Sequence, residues 1–138
     1  MTKEQIIAGM NAMRPPFLDA LGCVILDVDP NERSCKMEYN IGPEFCHSVN
    51  IVQGGFVTAM LDAVSTHAIF GSEEGIVGVS TLELKVSYYA PSLSGKFIAT
   101  GKVEKLTRNF AFLSADLFNE EGERTASLTS TAKIKYKK

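Results

Sequence analysis

Cysteine is scarce and odd in number: Cys23, Cys35 and Cys46 are the only three in 138 residues. Their spacing matches no metal-ligand pattern and builds no disulfide framework, so they read as free, partly buried thiols. Cys46 precedes His47, but neighbours in sequence point apart, which argues against a nucleophilic Cys–His pair. Long apolar runs are missing too. No stretch of about 18 uncharged apolar residues occurs, so no membrane span is expected. The opening "MTKEQIIAGMNAM" lacks the continuous apolar segment of a secretory signal, and the expected location is the cytoplasm. Charge of one sign is also lacking: the formal net charge is −2. Without a clustered basic footprint, nucleic acid is not an expected partner. The closing "KIKYKK" alternates like the end of an exposed strand.

What is present is a 45% hydrophobic fraction, enough for a real core. Residues 1–138 read as one domain that begins with an N-terminal helix within 1–16. In Thr2 to Met13, Ile6, Ile7, Met10 and Met13 recur at helical spacing, and Thr2 and Gln5 have the spacing of a capping box. Arg14-Pro15-Pro16 stops that helix, and "FLDALG" predicts one more turn ending at Gly22. "CVILDVD" and "SCKMEYNI" predict a hairpin around Pro30 to Arg33. "GPEFCHSVN" reads as a loop. Gly54 to Phe70 reads as a long helix closed by Gly71. Four strand-like runs follow, Val77–Ala90, Lys96–Leu106, Phe110–Asn119 and Arg124–Tyr136, separated by turn signals. This order predicts an α+β fold, an antiparallel sheet wrapped around one long central helix. The helix is apolar on almost every face. One sheet covers one side, so a partner chain is expected on the other.

Asp62 stands out inside this helix. Thr58, Ser65 and Thr66 share its face and form one narrow polar stripe. A carboxylate there is partly desolvated, which raises its pKa, and it needs hydrogen-bond donors. It either ties the helix to a neighbouring strand or serves a site. Gly54-Gly55 favours the site. Two glycines at a helix start are poor helix formers, and without a Cβ a ligand can reach backbone N–H groups at the positive end of the helix. Together these suggest an oxyanion hole. Asp62 lies roughly 10–12 Å further along the helix axis at ~1.5 Å per residue. That is too far to serve the same chain's hole, but two antiparallel helices across a dimer would bring them together.

The stretch "NIVQGGFVTAMLD", with its Gly-Gly and an acid seven residues after the second Gly, resembles the hotdog-fold acyl-CoA thioesterases of the PaaI-like branch. "GVSTLELKVSYYAP" looks like their long central strand and "GERTASLTSTAKI" like their last. The resemblance covers nearly the whole chain after about Phe17. It implies a thioester carbonyl polarised by the Gly55 N–H, and Asp62 of the other subunit as nucleophile or general base. It implies that Gln53 occupies the position where relatives often carry His, supporting the carbonyl site. Ser80 and Thr81 would orient water or the acid. Gly54, His47, Asn50 and Phe56 would line the substrate site, with Arg108 and Lys105 near the phosphates of CoA. CoA belongs to the substrate, and no metal or other cofactor is implied. The oligomer implied is a homodimer, and beyond it a dimer of dimers. Two departures stand out. Gln53 cannot titrate, so acid–base work falls to Asp62, and relatives' Asn six residues before the His is here His47, with Asn50 three before Gln53.

Three functions stay open. Hydrolysis of a medium-chain, long-chain or aryl acyl-CoA comes first, with Phe56 and Met60 beside an apolar pocket. Non-catalytic acyl-CoA binding is second, since a fold does not fix a function. A hotdog hydratase or dehydratase is third, and Gln53 in place of a catalytic His argues against it.

Overall fold

A computed structural model describes all residues, Met1–Lys138. The capping box forms as the sequence predicts. The Gln5 N–H donates to Thr2 Oγ1 and the Thr2 N–H to Gln5 Oε1, starting α1 (Lys3–Ala12). The prolines end it and place Pro16 at the first position of α2 (Pro16–Ala20), which buries Leu18 completely. The turn predicted at Gly22 needs glycine twice over: φ is +63°, and a Cβ would stand 2.7 Å from the Asn40 carbonyl. The hairpin follows as β1 (Val24–Asp29) and β2 (Ser34–Ile41). Asn11 straps α1 to β1. Its amide donates to the Ile25 carbonyl at 3.0 Å, and its oxygen accepts the Ile25 N–H at 2.9 Å. This covers part of a sheet edge that would otherwise present bare backbone groups.

The stretch expected to be a plain loop has structure of its own. A 3₁₀ turn at Pro43–Phe45 leads into β3 (Cys46–His47), which pairs with β4 (Ile51–Val52) in a separate two-stranded sheet. The Gln53 N–H then donates to the Phe45 carbonyl at 2.9 Å, so this small hairpin fixes where the next helix begins. That helix, α3, spans Gly54–Phe70 with Gly71 as its C-cap, at the predicted bounds. β5 (Ile76–Tyr88), β6 (Gly95–Leu106), β7 (Phe110–Phe118) and β8 (Arg124–Tyr136) complete the chain.

The six long strands form one sheet in the order β1-β2-β6-β7-β8-β5, every pairing antiparallel. β5 is not paired with its successor. It crosses to the far edge and pairs with β8, leaving β6 to join β2. The sheet curls around α3, which packs chiefly on β6, then β7 and β2. At β6 the fit depends on Gly101, where a Cβ would stand 2.4 Å from the Val64 carbonyl oxygen. Tyr39, fully buried on β2, donates its hydroxyl to the Met60 carbonyl at 2.9 Å and pins the helix at its middle. Val57, Met60, Leu61, Val64 and Ile69 face the sheet and are buried. Each such side chain is worth about 1.5–3 kcal/mol. This is the α+β hotdog fold.

α3 is not buried all round. Phe56 and Phe70 are 38% and 44% exposed, while Thr58, Ala59, Asp62 and Thr66 are half-buried. The sheet covers one side, and these residues mark the side it leaves open. No helix is long and apolar enough to cross a membrane. Cys23 and Cys35 are buried free thiols, which burial pushes up to about 11 and about 12, so both are inert. Cys46 is free and half-buried, and the His47 ring pairs with the Ser48 hydroxyl rather than with Cys46.

Candidate active site at the start of the central helix

Gln53 is the N-cap of α3. Its side-chain Oε1 accepts the Gly55 N–H at 2.7 Å. The donor expected to face a substrate carbonyl is thus already bonded to a carbonyl-type oxygen of the same chain. On the other side of the same peptide, the Tyr88 hydroxyl donates to the Gly54 carbonyl at 2.9 Å. The Tyr88 oxygen also lies 2.7 Å from Thr58 Oγ1. Because the Tyr88 proton is directed at Gly54, Thr58 is the donor in that second bond. Around this peptide opens a cleft of about 630 Å³, lined by His47, Gln53, Gly54, Gly55, Tyr88 and Pro91 among others. Phe56 does not line this cleft; it stacks edge-on against Phe45 at 4.8 Å.

Asp62 lies two turns further along α3. Its Oδ1 accepts the Thr81 hydroxyl at 3.2 Å. Desolvation raises its pKa above the usual carboxylate value, and the bond from Thr81 offsets part of the rise. The expected polar stripe is narrower than helical spacing suggests. Ser65 is buried and donates to the Asp62 backbone carbonyl at 2.8 Å, and Thr66 donates to the Ala63 carbonyl at 3.1 Å. Neither hydroxyl reaches the carboxylate, because mid-helix hydroxyls bond back to the preceding turn. His67 does the same: its Nδ1–H donates to the Ala63 carbonyl at 2.8 Å, and burial lowers its pKa.

The other expected site residues are dispersed. Thr81 pairs with buried Ala132 and faces α3, whereas Ser80 pairs with exposed Lys133 and faces away. Within one chain, Ser80 is therefore not brought to Asp62. Asn50 binds Ser94 through its side chain and its carbonyl and lies beside Pro91 and Leu93 in a separate groove. Arg108, in the β6–β7 turn, lines a groove of about 640 Å³ with Ser80, Lys133 and Lys135. Lys105 is exposed on β6, opposite Phe112. His47 is exposed at the rim of the cleft. No three His, Cys, Asp or Glu side chains gather where they could hold a metal ion.

Tyr88 is the residue the sequence reading missed. Strict alternation onward from Thr81 gives Glu83, Lys85 and Ser87 its face and sends Tyr88 to the other. A bulge between Thr81 and Glu83 shifts the register, so that Leu84, Val86 and Tyr88 pair with Ser130, Leu128 and Ala126 on the inner face. The one available signal was the apolar alternation Leu84-x-Val86-x-Tyr88 itself.

Residues 50–126 match the family model described as the thioesterase superfamily. Acyl-coenzyme A thioesterase 13 of Homo sapiens is 29% identical over 119 residues, covering 85% of this chain and 82% of the human protein. Among solved structures, a phenylacetic acid degradation-related protein of Ralstonia eutropha JMP134 superposes with a TM-score of 0.86 at 29% identity, covering 94% of this chain and 97% of that one. The E. coli PaaI protein from the phenylacetic acid degradation operon superposes with a TM-score of 0.84 over 99% of both chains at 14% identity, a likeness of fold.

Proposed function

The chain belongs to the thioesterase superfamily, as a PaaI-like member, and we propose that it hydrolyses acyl-CoA thioesters at a site shared by two copies. The observation that carries this reading is Asp62: a half-buried carboxylate of raised pKa on the open side of α3, with one hydroxyl for a partner. Such a group is poised to take a proton from water. The Gly55 N–H, in an open cleft at a helix N-terminus, polarises the thioester carbonyl once the carbonyl has displaced Gln53. The two groups lie about 10 Å apart along one helix at ~1.5 Å per residue, so one chain cannot bring both to the same carbonyl. Two copies with α3 antiparallel can. β5, an edge strand exposing Val77 and Leu82 at its bulges, supplies the rest of such an interface. The oxygen of water adds to the thioester carbon, and the C–S bond breaks. CoA leaves as the thiolate, which regains the proton through Asp62. In a covalent variant, Asp62 itself adds first and water cleaves the anhydride. The acyl or aryl group lies in the cleft, and the phosphates of CoA lie toward Arg108 and Lys105.

One observation favours binding without turnover: in the free protein the Gly55 N–H is already satisfied by Gln53. Thiol release decides between them. With acetyl-, hexanoyl-, palmitoyl- and phenylacetyl-CoA, the wild type is expected to release CoA. Asp62→Asn is expected to lose at least ~10²-fold in turnover while retaining CoA binding by calorimetry. No release from any substrate, with tight CoA binding, would overturn hydrolysis in favour of the binding reading.

A further inference from the structure

The Gly54–Gly55 peptide is a single rigid unit: the carbonyl of Gly54 and the N–H of Gly55 are the two ends of one amide. Tyr88 donates to the oxygen end at 2.9 Å. We infer that Tyr88 is a positioning residue for catalysis, and that it holds and polarises the peptide whose N–H binds the thioester oxyanion. The inference rests on the hydrolytic reading above. A donor on an amide oxygen draws electron density from the nitrogen and makes the N–H a stronger donor, the cooperative strengthening seen in chains of hydrogen bonds. Thr58 extends the chain, since its hydroxyl donates to the Tyr88 oxygen at 2.7 Å. The relay therefore runs Thr58, Tyr88, Gly54 carbonyl, Gly55 N–H, ending at the point where negative charge develops.

The geometry also fixes direction. β5 and α3 are joined here by a hydroxyl at the first turn of the helix, and glycine at position 54 leaves that hydroxyl room to approach. A Cβ on Gly54 would meet Tyr88 Oη at 3.2 Å and Cζ at 3.4 Å. The plane of the oxyanion peptide is thus set from the sheet, through Tyr88. Such pre-orientation helps most when charge is greatest, in the transition state, and least in the ground-state complex.

Tyr88→Phe removes the hydroxyl and keeps the ring. The expected result is a fall of about three- to tenfold in kcat with KM within twofold, the scale of a secondary contribution to an oxyanion donor. The Gly55 amide proton should move upfield in the NMR spectrum with the thermal midpoint little changed. Thr58→Val should shift kcat and the Gly55 amide in the same direction by less. A kcat unchanged in Tyr88→Phe overturns the inference while leaving hydrolysis intact. Were the wild type itself inactive, the hydrolytic reading would fall. The Gly55 amide would still decide the relay, because an unmoved resonance in Tyr88→Phe excludes polarisation of that peptide.

Discussion

Replacing Gln53 by alanine should weaken the fold and tighten substrate binding by the same free energy. One hydrogen bond does both jobs: Oε1 caps α3 and covers the Gly55 N–H at 2.7 Å. Losing an N-cap acceptor costs about 0.5–2 kcal/mol, centred near 1. In a domain of this size that lowers the thermal midpoint by about 3–4 °C. A substrate carbonyl that must take the same N–H first breaks that bond, so its removal returns about 1 kcal/mol to binding, or roughly a fivefold lower KM. Gln53→Glu should do the reverse. A carboxylate at a helix N-terminus gains about 0.3–1 kcal/mol from the dipole and holds the N–H by a charge-assisted bond. The variant should be more stable and a poorer catalyst at pH 7, and its activity relative to wild type should recover as the pH falls toward the glutamate range near ~4.3. Thiol-release kinetics and thermal melts on the three proteins suffice. A Gln53→Ala variant whose KM rises while kcat collapses would refute the competition, because Gln53 would then be holding substrate rather than excluding it.

Asp62→Asn should raise the thermal midpoint at pH 7 while removing turnover. The folded pKa of Asp62 lies above 3.8, so its favourable contribution is complete below 3.8 and is lost as pH rises through the folded value. At neutral pH the ionised group is a cost that asparagine lacks. His67 runs the other way. Its folded pKa lies below 6.5, so the stability it lends is present above 6.5 and is lost as pH falls through the folded value. Urea midpoints should therefore fall in wild type relative to His67→Phe as the pH drops from 8 to 5, since the Phe ring suits the surroundings of Met10 and Phe70. Gly101→Ala should destabilise by about 3 kcal/mol or more, the upper range of overpacking. Its new methyl meets the Val64 carbonyl of α3, and backbone on both sides leaves nothing that can rotate away. An alanine variant melting near wild type would show that α3 can lift from β6.

The helix, the hairpin and the four late strands were legible because local signals agreed with the fold: a capping box, Pro-Pro, a C-terminal glycine and turn residues at each strand end. The order of strands in the sheet was not legible. Nothing in the sequence of β5 says that it pairs with β8 at the far edge, since that pairing is decided by how the sheet closes over α3. The small sheet formed by β3 and β4 was missed because two-residue strands carry no periodicity to read. Asp62 stands out as a candidate because a lone carboxylate in an apolar helix is costly wherever it lies. Its partner was harder. Both Ser80 and Thr81 were candidates, and the bulge after Thr81 gives Thr81 the inner face and Ser80 the outer.

The glycine pair shows where reading by residue type stops. Two adjacent glycines at a helix start indicate that something comes close, and a ligand was the natural candidate. In the free protein the close neighbours are the chain's own side chains. A Cβ on Gly54 would crowd Tyr88, and one on Gly55 would stand 2.8 Å from Gln53 Oε1. Each glycine thus has a separate structural cause, one facing the sheet and one facing the cap, and neither depends on a substrate. The two causes act on opposite ends of one peptide. The Tyr88 bond strengthens the Gly55 N–H as a donor, and the Gln53 bond occupies it. A donor held in place and temporarily covered avoids the cost of an unsatisfied N–H while the cleft is empty. It is also already oriented when a better acceptor arrives. On the proposed hydrolysis, a thioester carbonyl takes the N–H from the amide oxygen as it binds, and the cost of about 1 kcal/mol falls on KM. An oxyanion is a stronger acceptor, so the new bond tightens as charge develops. Only that increment, absent from the ground state, accelerates the reaction.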